Sequence, residues 1–251
     1  MEASNFSIPE FFYDLIAILI PGVFALVYTY LLFPEIADVI TVTYPYLNNV
    51  FTLLVIAYII GHSAYSLSSE FVVPIFRFLS GNPINTLLGR PIKKHQKKFN
   101  KYFLHEVIEH DVYFTTNVTK GIIKYTGDKT FDLKVAENID IAYEFCRNFI
   151  IEKASKNYTT IRKEQSYGEL SRSIILISIV YFFALIINVI FFTTTSYWWL
   201  KAFINLLIFI SFTFRYGQVR HTAPIFIFST FCTFLTISNF KDNKSNSNET
   251  I

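Results

Sequence analysis

Charge is what this 251-residue chain has least of. Only 16% of its residues are Asp, Glu, Lys or Arg, against 52% hydrophobic and 18% aromatic, and its mean hydropathy is +0.38. That balance excludes both an ordinary soluble domain and a disordered chain. No Lys or Arg occurs between Met1 and Phe76. Cysteine is scarce too: Cys146 and Cys232 lie far apart, one in a polar block and one in a late apolar run. A disulfide framework is therefore not expected, and the two read as small apolar side chains. Walker loops, GxGxxG, HExxH, CxxC and GxSxG are all missing, so the chain does not read as an enzyme, and no cofactor or metal is expected.

What the chain has instead is long apolar runs. Residues 11–33, 48–69 and 173–195 are each long enough to cross a bilayer and carry at most one formal charge; a hydrocarbon core of ~30 Å needs about 20 residues of helix. A shorter fourth run, 197–214, has Lys201 near its start, where a long side chain can snorkel. The first run does not read as a cleaved signal, because it lacks a basic lead-in and a small-x-small site. The expected fold class is an all-α membrane protein, with four transmembrane helices arranged as two hairpins around a helical insert. The corresponding segments are an N-terminal hairpin (1–72), a cytoplasmic insert (73–171), a C-terminal hairpin (172–215), and a cytoplasmic apolar segment with a disordered tail (216–251).

Orientation follows from the basic residues. Between Arg77 and Arg172 lie 17 of the 22, so the positive-inside rule places the insert and both termini in the cytoplasm. The loops at 34–47 and 193–199 have no Lys or Arg and are expected outside, with Tyr44, Tyr46, Trp198 and Trp199 at the interface. Within the insert, helical spacing appears at 97–113 and 132–154. The latter carries the stripe Leu133, Ala136, Ile139, Ala142, Tyr143, Cys146, Phe149 and Ile150. A helix at 160–171 runs without a Pro into the third span, Gly127–Asp128 marks a turn, and one short β element is expected. Residues 222–238 read either as a fifth span or as a cytoplasmic continuation of the fourth helix that folds back on the insert. The charge rule favours the continuation.

Four polar groups fall in the inner-leaflet half of the spans: Asp14, His62, Arg172 and Arg215. Charges there are costly unless paired or wetted. They form either a static ion pair, Asp14 with Arg172 or Arg215, or the lining of a cytoplasmic gate. Pro21–Gly22 breaks the first helix, as a packing kink with close helix approach or as a hinge. Gly61 to Ala64 favour tight contact in the second span, and Asn188 and Asn205 can bridge helices by amide hydrogen bonds. Lys93, Lys94, Lys97, Lys98 and Lys101 form a juxtamembrane cluster suited to anionic lipid headgroups or to an anionic nucleotide. His105 and His110 in HEVIEH sit five apart, off one helix face, so a solvated helix is the better reading than a metal site. No selectivity-filter motif occurs, and no helix reads as polar along one stripe.

The ordered segments FYDLIAILIPGVFAL, YIIGHSAYSLSSE, AYEFCRNFI, YGELSRS and FRYGQVR resemble the small four-span bacterial membrane effectors of antiphage defence operons, including the Hailong type. The resemblance covers most of the chain, and Asp14, Pro21–Gly22, Gly61–His62, Arg172 and Arg215–Tyr216 match its recurring positions. It implies a homo-oligomeric ion channel, held shut until a nucleotide second messenger binds the cytoplasmic part, followed by depolarisation and abortive infection. An operon-encoded nucleotidyltransferase would be the partner. A tetramer is the expected assembly, and direct duplex nucleic-acid binding is not expected. A non-conducting scaffold or sensor recruiting a cytosolic partner, and a transporter subunit, are the competing readings.

Overall fold

A computed structural model of the chain describes residues 8–45, 49–88, 93–101, 112–133, 135–153, 155–192 and 197–248. The described residues form helices α1 (Ile8–Leu32), α2 (Pro34–Thr43), α3 (Val50–Ser80), α4 (Pro83–Leu87), α5 (Lys94–Phe99), α6 (Val112–Thr126), α7 (Ala136–Lys153), α8 (Ser155–Phe192) and α9 (Trp198–Asn248), with no strand among them. Four helices, α1, α3, α8 and α9, are long and apolar enough to cross a membrane. The protein has an all-α, multi-pass membrane fold.

The chain divides into two compact units: Met1–Phe76 with Lys163–Val219, and Arg77–Arg162 with Arg220–Ile251. In the first unit the helices bury small and aromatic residues inward, among them Ala17, Ala25, Tyr28, Ala57 and Ala64. They turn large apolar side chains outward: Phe183 is 61% and Ile190 64% exposed. This inversion is what a hydrocarbon solvent allows and water would not.

The second unit has its own core. Val118 and Ile122 of α6, Ile139, Ala142, Cys146 and Ile150 of α7, and Ile227, Phe228, Phe231, Cys232 and Leu235 of α9 are all buried together. Phe231 meets Phe149 edge-on at 5.1 Å and Phe145 at 6.0 Å, the geometry that suits ring quadrupoles. The stripe expected on α7 is the face that is buried. The side chain of Ala136 lies outside the described residues. Cys146 and Cys232 are distant in sequence yet share this core as free thiols, and burial, with Cys232 nearby, pushes the Cys146 thiol well above its ordinary pKa.

Several expectations need correction. Residues 222–238 do join the insert's core, but by continuing α9 without a break rather than by folding back. Pro224 and the Thr- and Ser-rich composition disfavour helix there, and the burial of one face around Phe228 and Phe231 outweighs them. A single helix crosses a bilayer once, so α9 adds no fifth span, and the tail expected to be disordered is helical as far as Asn248. The expected β element is not found among the described residues, whereas the turn expected at Gly127–Asp128 is: α6 ends at Thr126, Gly127 takes φ 75°, and Asp128 Oδ1 accepts from Thr130 N at 2.9 Å and Thr130 Oγ1 at 2.6 Å. These bonds satisfy the segment locally and hold the Asp128 carboxyl below its usual pKa. The segment 34–47, expected to be a loop, is largely helix α2, which Pro34 opens at a position where its missing N–H costs nothing. Helix α6 had no sequence signal, because its Thr- and β-branched-rich stretch favours other conformations. It is helical because Val118, Gly121 and Ile122 fit against α9. The helix expected at 97–113 falls in part on residues 102–111, which lie outside the described residues, as do His105 and His110.

Replacing Phe231 by Ala should cost the second unit about 3–5 kcal/mol, the usual loss for a fully buried aromatic. Chemical unfolding followed by tyrosine and tryptophan fluorescence in detergent reads this, with exposed Phe226→Ala as a near-neutral comparison.

Candidate functional site

The tightest contact in the membrane unit is between α1 and α3. At Gly22 an added methyl would collide with the Ala57 carbonyl oxygen, and at Gly61 it would collide with the Ile18 carbonyl oxygen and lie 3.1 Å from Gly22 N. Ile18 with Gly22, and Ala57 with Gly61, are each four residues apart, so the two helices touch backbone to backbone over one full turn. Pro21 is buried beside this contact. The sequence GHSA and the Pro–Gly pair thus meet each other.

Nearer the other end of α1 lies a polar network. Tyr28 OH donates to Asn205 Oδ1 at 3.1 Å, and Asn205 Nδ2 donates to the Ser178 carbonyl at 3.0 Å, linking α1, α9 and α8. Tyr181 OH donates to the Ala25 carbonyl at 2.8 Å and lies against the Thr29 hydroxyl. Lys201 Nζ donates to the Leu32 carbonyl at 2.7 Å, so its charge ends on the terminal carbonyls of α1, where the helix dipole is negative. Asn205 was legible as a bridging residue. Tyr28, Thr29 and Tyr181 were not, because a tyrosine in an aromatic-rich span looks like any other apolar residue. Beside Asn205, a groove of about 180 Å³ between α8 and α9 is lined mainly by Phe182, Phe183, Leu206 and Phe209.

The cations Arg172 and Arg215 find aromatic and acidic partners. The Arg172 guanidinium lies over the Tyr65 ring at 4.7 Å, joining α8 to α3, and its Nε is buried without a hydrogen-bond partner among the described residues. Arg215 pairs with Glu164 Oε2 at 3.4 Å and lies 5.5 Å from the Tyr167 ring centre. Asp14 belongs to α1, but its side chain lies outside the described residues. His62 is exposed and stacks on Tyr58 at 6.2 Å. Asp14, His62, Arg172 and Arg215 are thus not shown as one cluster.

In the second unit, side chains cap the last carbonyls of α3, which a helix leaves without partners. Gln96 Nε2 donates to the Arg77 and Phe78 carbonyls at 3.4 and 3.1 Å, and Asn100 Nδ2 donates to that of Ser80 at 3.1 Å. His95 meets the Phe78 carbonyl at 3.2 Å. Arg220 donates to Ser80 Oγ at 2.9 Å and to the Gly81 carbonyl at 3.0 Å. These bonds moor α5 to the end of α3 and leave Lys93, Lys94, Lys97, Lys98 and Lys101 exposed. Among the described residues, no group of three or more His, Cys, Asp or Glu side chains is placed to hold a metal ion.

Fold and site together define a multi-pass membrane protein whose second unit carries a moored lysine helix. No family model, curated protein or solved structure matches the chain.

Gly61→Leu must force α1 and α3 apart, and destabilisation of 2 kcal/mol or more is expected, as about 1–3 kcal/mol is common even for milder overpacking. A lowered thermal aggregation temperature in detergent reads it, with Ser63→Leu on the exposed side of the same helix unaffected. Arg220→Leu strands the Ser80 hydroxyl and the Gly81 carbonyl, at a cost of about 1–3 kcal/mol to the second unit. Faster amide exchange at residues 78–82 checks it.

Proposed function

We propose that this chain is a membrane effector of bacterial antiphage defence: a homo-oligomeric ion channel, gated from the cytoplasmic side by a nucleotide signal, whose opening depolarises the inner membrane. The observation that carries this reading is the division of the chain into a bilayer-suited helical unit and a second unit with its own aromatic core and an exposed lysine helix. An output embedded in lipid and a separate folded element for a signal are the two parts such an effector needs. The three lysines of α5, with Lys93 and Lys101 flanking it, offer phosphate-binding charge to a nucleotide or to lipid headgroups. The sequence resemblance described above points the same way. One copy has too few spans to enclose a wide path, so a closed ring, a tetramer in the first instance, is the assembly proposed. Asp14 and His62 are assigned to its cytoplasmic mouth, with Arg172 and Arg215 fixing the helices behind them, and Pro21–Gly22 to the movement that opens it. A nucleotidyltransferase encoded nearby would supply the signal.

Overproduction of the intact protein should dissipate the membrane potential, read by a potential-sensitive dye, and stop growth within a generation. The purified protein should conduct in planar bilayers, and Asp14→Ala should alter the single-channel current or open time. Silent bilayers together with a monomer in detergent would replace the channel by a non-conducting scaffold that recruits a cytosolic partner.

A further inference from the structure

Residues 71–105 include seven Lys or Arg and no Asp or Glu. Five of the seven, Lys93, Lys94, Lys97, Lys98 and Lys101, lie on or beside α5, and all five are exposed. The helix buries none of its own residues, so it has no core of its own to serve. Charge of one sign at this density repels itself and is relieved by an anionic neighbour.

The end of α3 decides where that neighbour is found. Gln96 donates to the Arg77 and Phe78 carbonyls and Asn100 to that of Ser80, which fixes α5 against the last turn of α3. The His95 ring lies 5.5 Å from that of Phe78. Phe78 is itself 68% exposed and ends an outward apolar stripe of α3 that runs through Leu67, Phe71 and Ile75 at helical spacing. Lipid tolerates such a stripe, whereas water does not. Glu70 is the first charged residue of α3 and marks the edge of the hydrocarbon core. At ~1.5 Å per residue, residues 77–80 stand about 10–15 Å past that edge. The headgroup layer takes up about 5–7 Å of this distance. An exposed charge acts over a further ~8 Å at physiological ionic strength. The lysines moored to this turn are therefore within electrostatic reach of the membrane's phosphates.

We propose that α5, with Lys93 and Lys101, is a docking surface for anionic phospholipid headgroups, with Phe78 seated in the interface beside it. An aromatic ring next to lysines is the pairing that suits the boundary between headgroups and acyl chains. Ammonium groups on flexible stems fit the loosely ordered phosphates of a membrane surface. Holding a single nucleotide calls instead for an enclosing pocket, and all five lysines are exposed. Because the mooring bonds end on carbonyls of α3, headgroups that hold α5 also steady the end of a spanning helix. The proposal concerns the membrane surface alone and holds whether or not the chain conducts.

The experiment uses the full chain in nanodiscs of phosphatidylcholine, with or without a one-third share of phosphatidylglycerol. A membrane-impermeant acetylating reagent is added, and the rate at each lysine is read by mass spectrometry. A lysine beside an anionic surface gains roughly fivefold in attraction, so the rates at Lys94, Lys97, Lys98 and Lys101 should fall about fivefold or more when phosphatidylglycerol is present. Lys129, exposed in the turn after α6, should react alike in both. The triple variant Lys94→Gln, Lys97→Gln, Lys98→Gln should lose the excess of phosphatidylglycerol that native mass spectrometry finds retained on the unaltered chain. Rates that phosphatidylglycerol leaves unchanged show a solvated face and overturn the proposal. Protection by millimolar adenosine triphosphate in place of phosphatidylglycerol marks a site for a free anion and also overturns it. Equal slowing at Lys129 marks a general surface potential, with the same consequence.

Discussion

The membrane unit depends on the approach of α1 to α3 at Gly22 and Gly61. In lipid there is no hydrophobic drive to bring helices together, so association relies on close van der Waals packing and on the few polar bonds that close approach permits. Two glycines, each facing a carbonyl of the partner helix, allow the backbones to touch. Side chains elsewhere in the unit can be large only because this contact is small. The contact also fixes the rotation of both helices, and so decides which residues of α3 face in and which face out. Pro21 adds to it by removing a backbone N–H beside the junction.

With the rotation set, the polar groups of the spans sort themselves by available partners. Tyr28, Asn205 and Ser178 form a chain of two hydrogen bonds across three helices, Tyr181 reaches a main-chain carbonyl, and Lys201 ends on the C-terminal carbonyls of α1. These donors reach acceptors, as a medium without water requires, while Arg172 Nε and the Ser178 and Thr213 hydroxyls are buried without a partner among the described residues. Arg172 and Arg215 instead use aromatic faces and Glu164. On the outward face of α3, His62 stacks on Tyr58 and the Ser63 hydroxyl donates to the Ile59 carbonyl.

The second unit is held by a different force. Its core is built of phenylalanines from α7 and α9 closed by α6, an interior that water drives together. Helix α6 shows how far packing overrides local preference: its Thr-rich sequence is a weak helix former, and it folds because one face is covered. The lysine helix α5 is short and would not persist alone. It is kept in place by side chains that satisfy the end of α3.

The sequence by itself determined the spans, the continuity of α8 and the buried stripe of α7, because apolar run length and helical periodicity are local quantities that need no partner. It also marked Asn205 as a bridge and Pro21–Gly22 with Gly61 as sites of close packing, since small and amide residues have few other uses in lipid. Tertiary structure decided the rest. That Gly22 and Gly61 meet each other, that Tyr28 and Tyr181 are hydrogen-bonding groups rather than filler, that two thiols distant in sequence share one core, and that α9 continues into that core all depend on which helices become neighbours. The outward face of α3 belongs to the same class. His62 and Ser63 are plain in the sequence, but only the rotation imposed by a glycine contact shows that they face outward together.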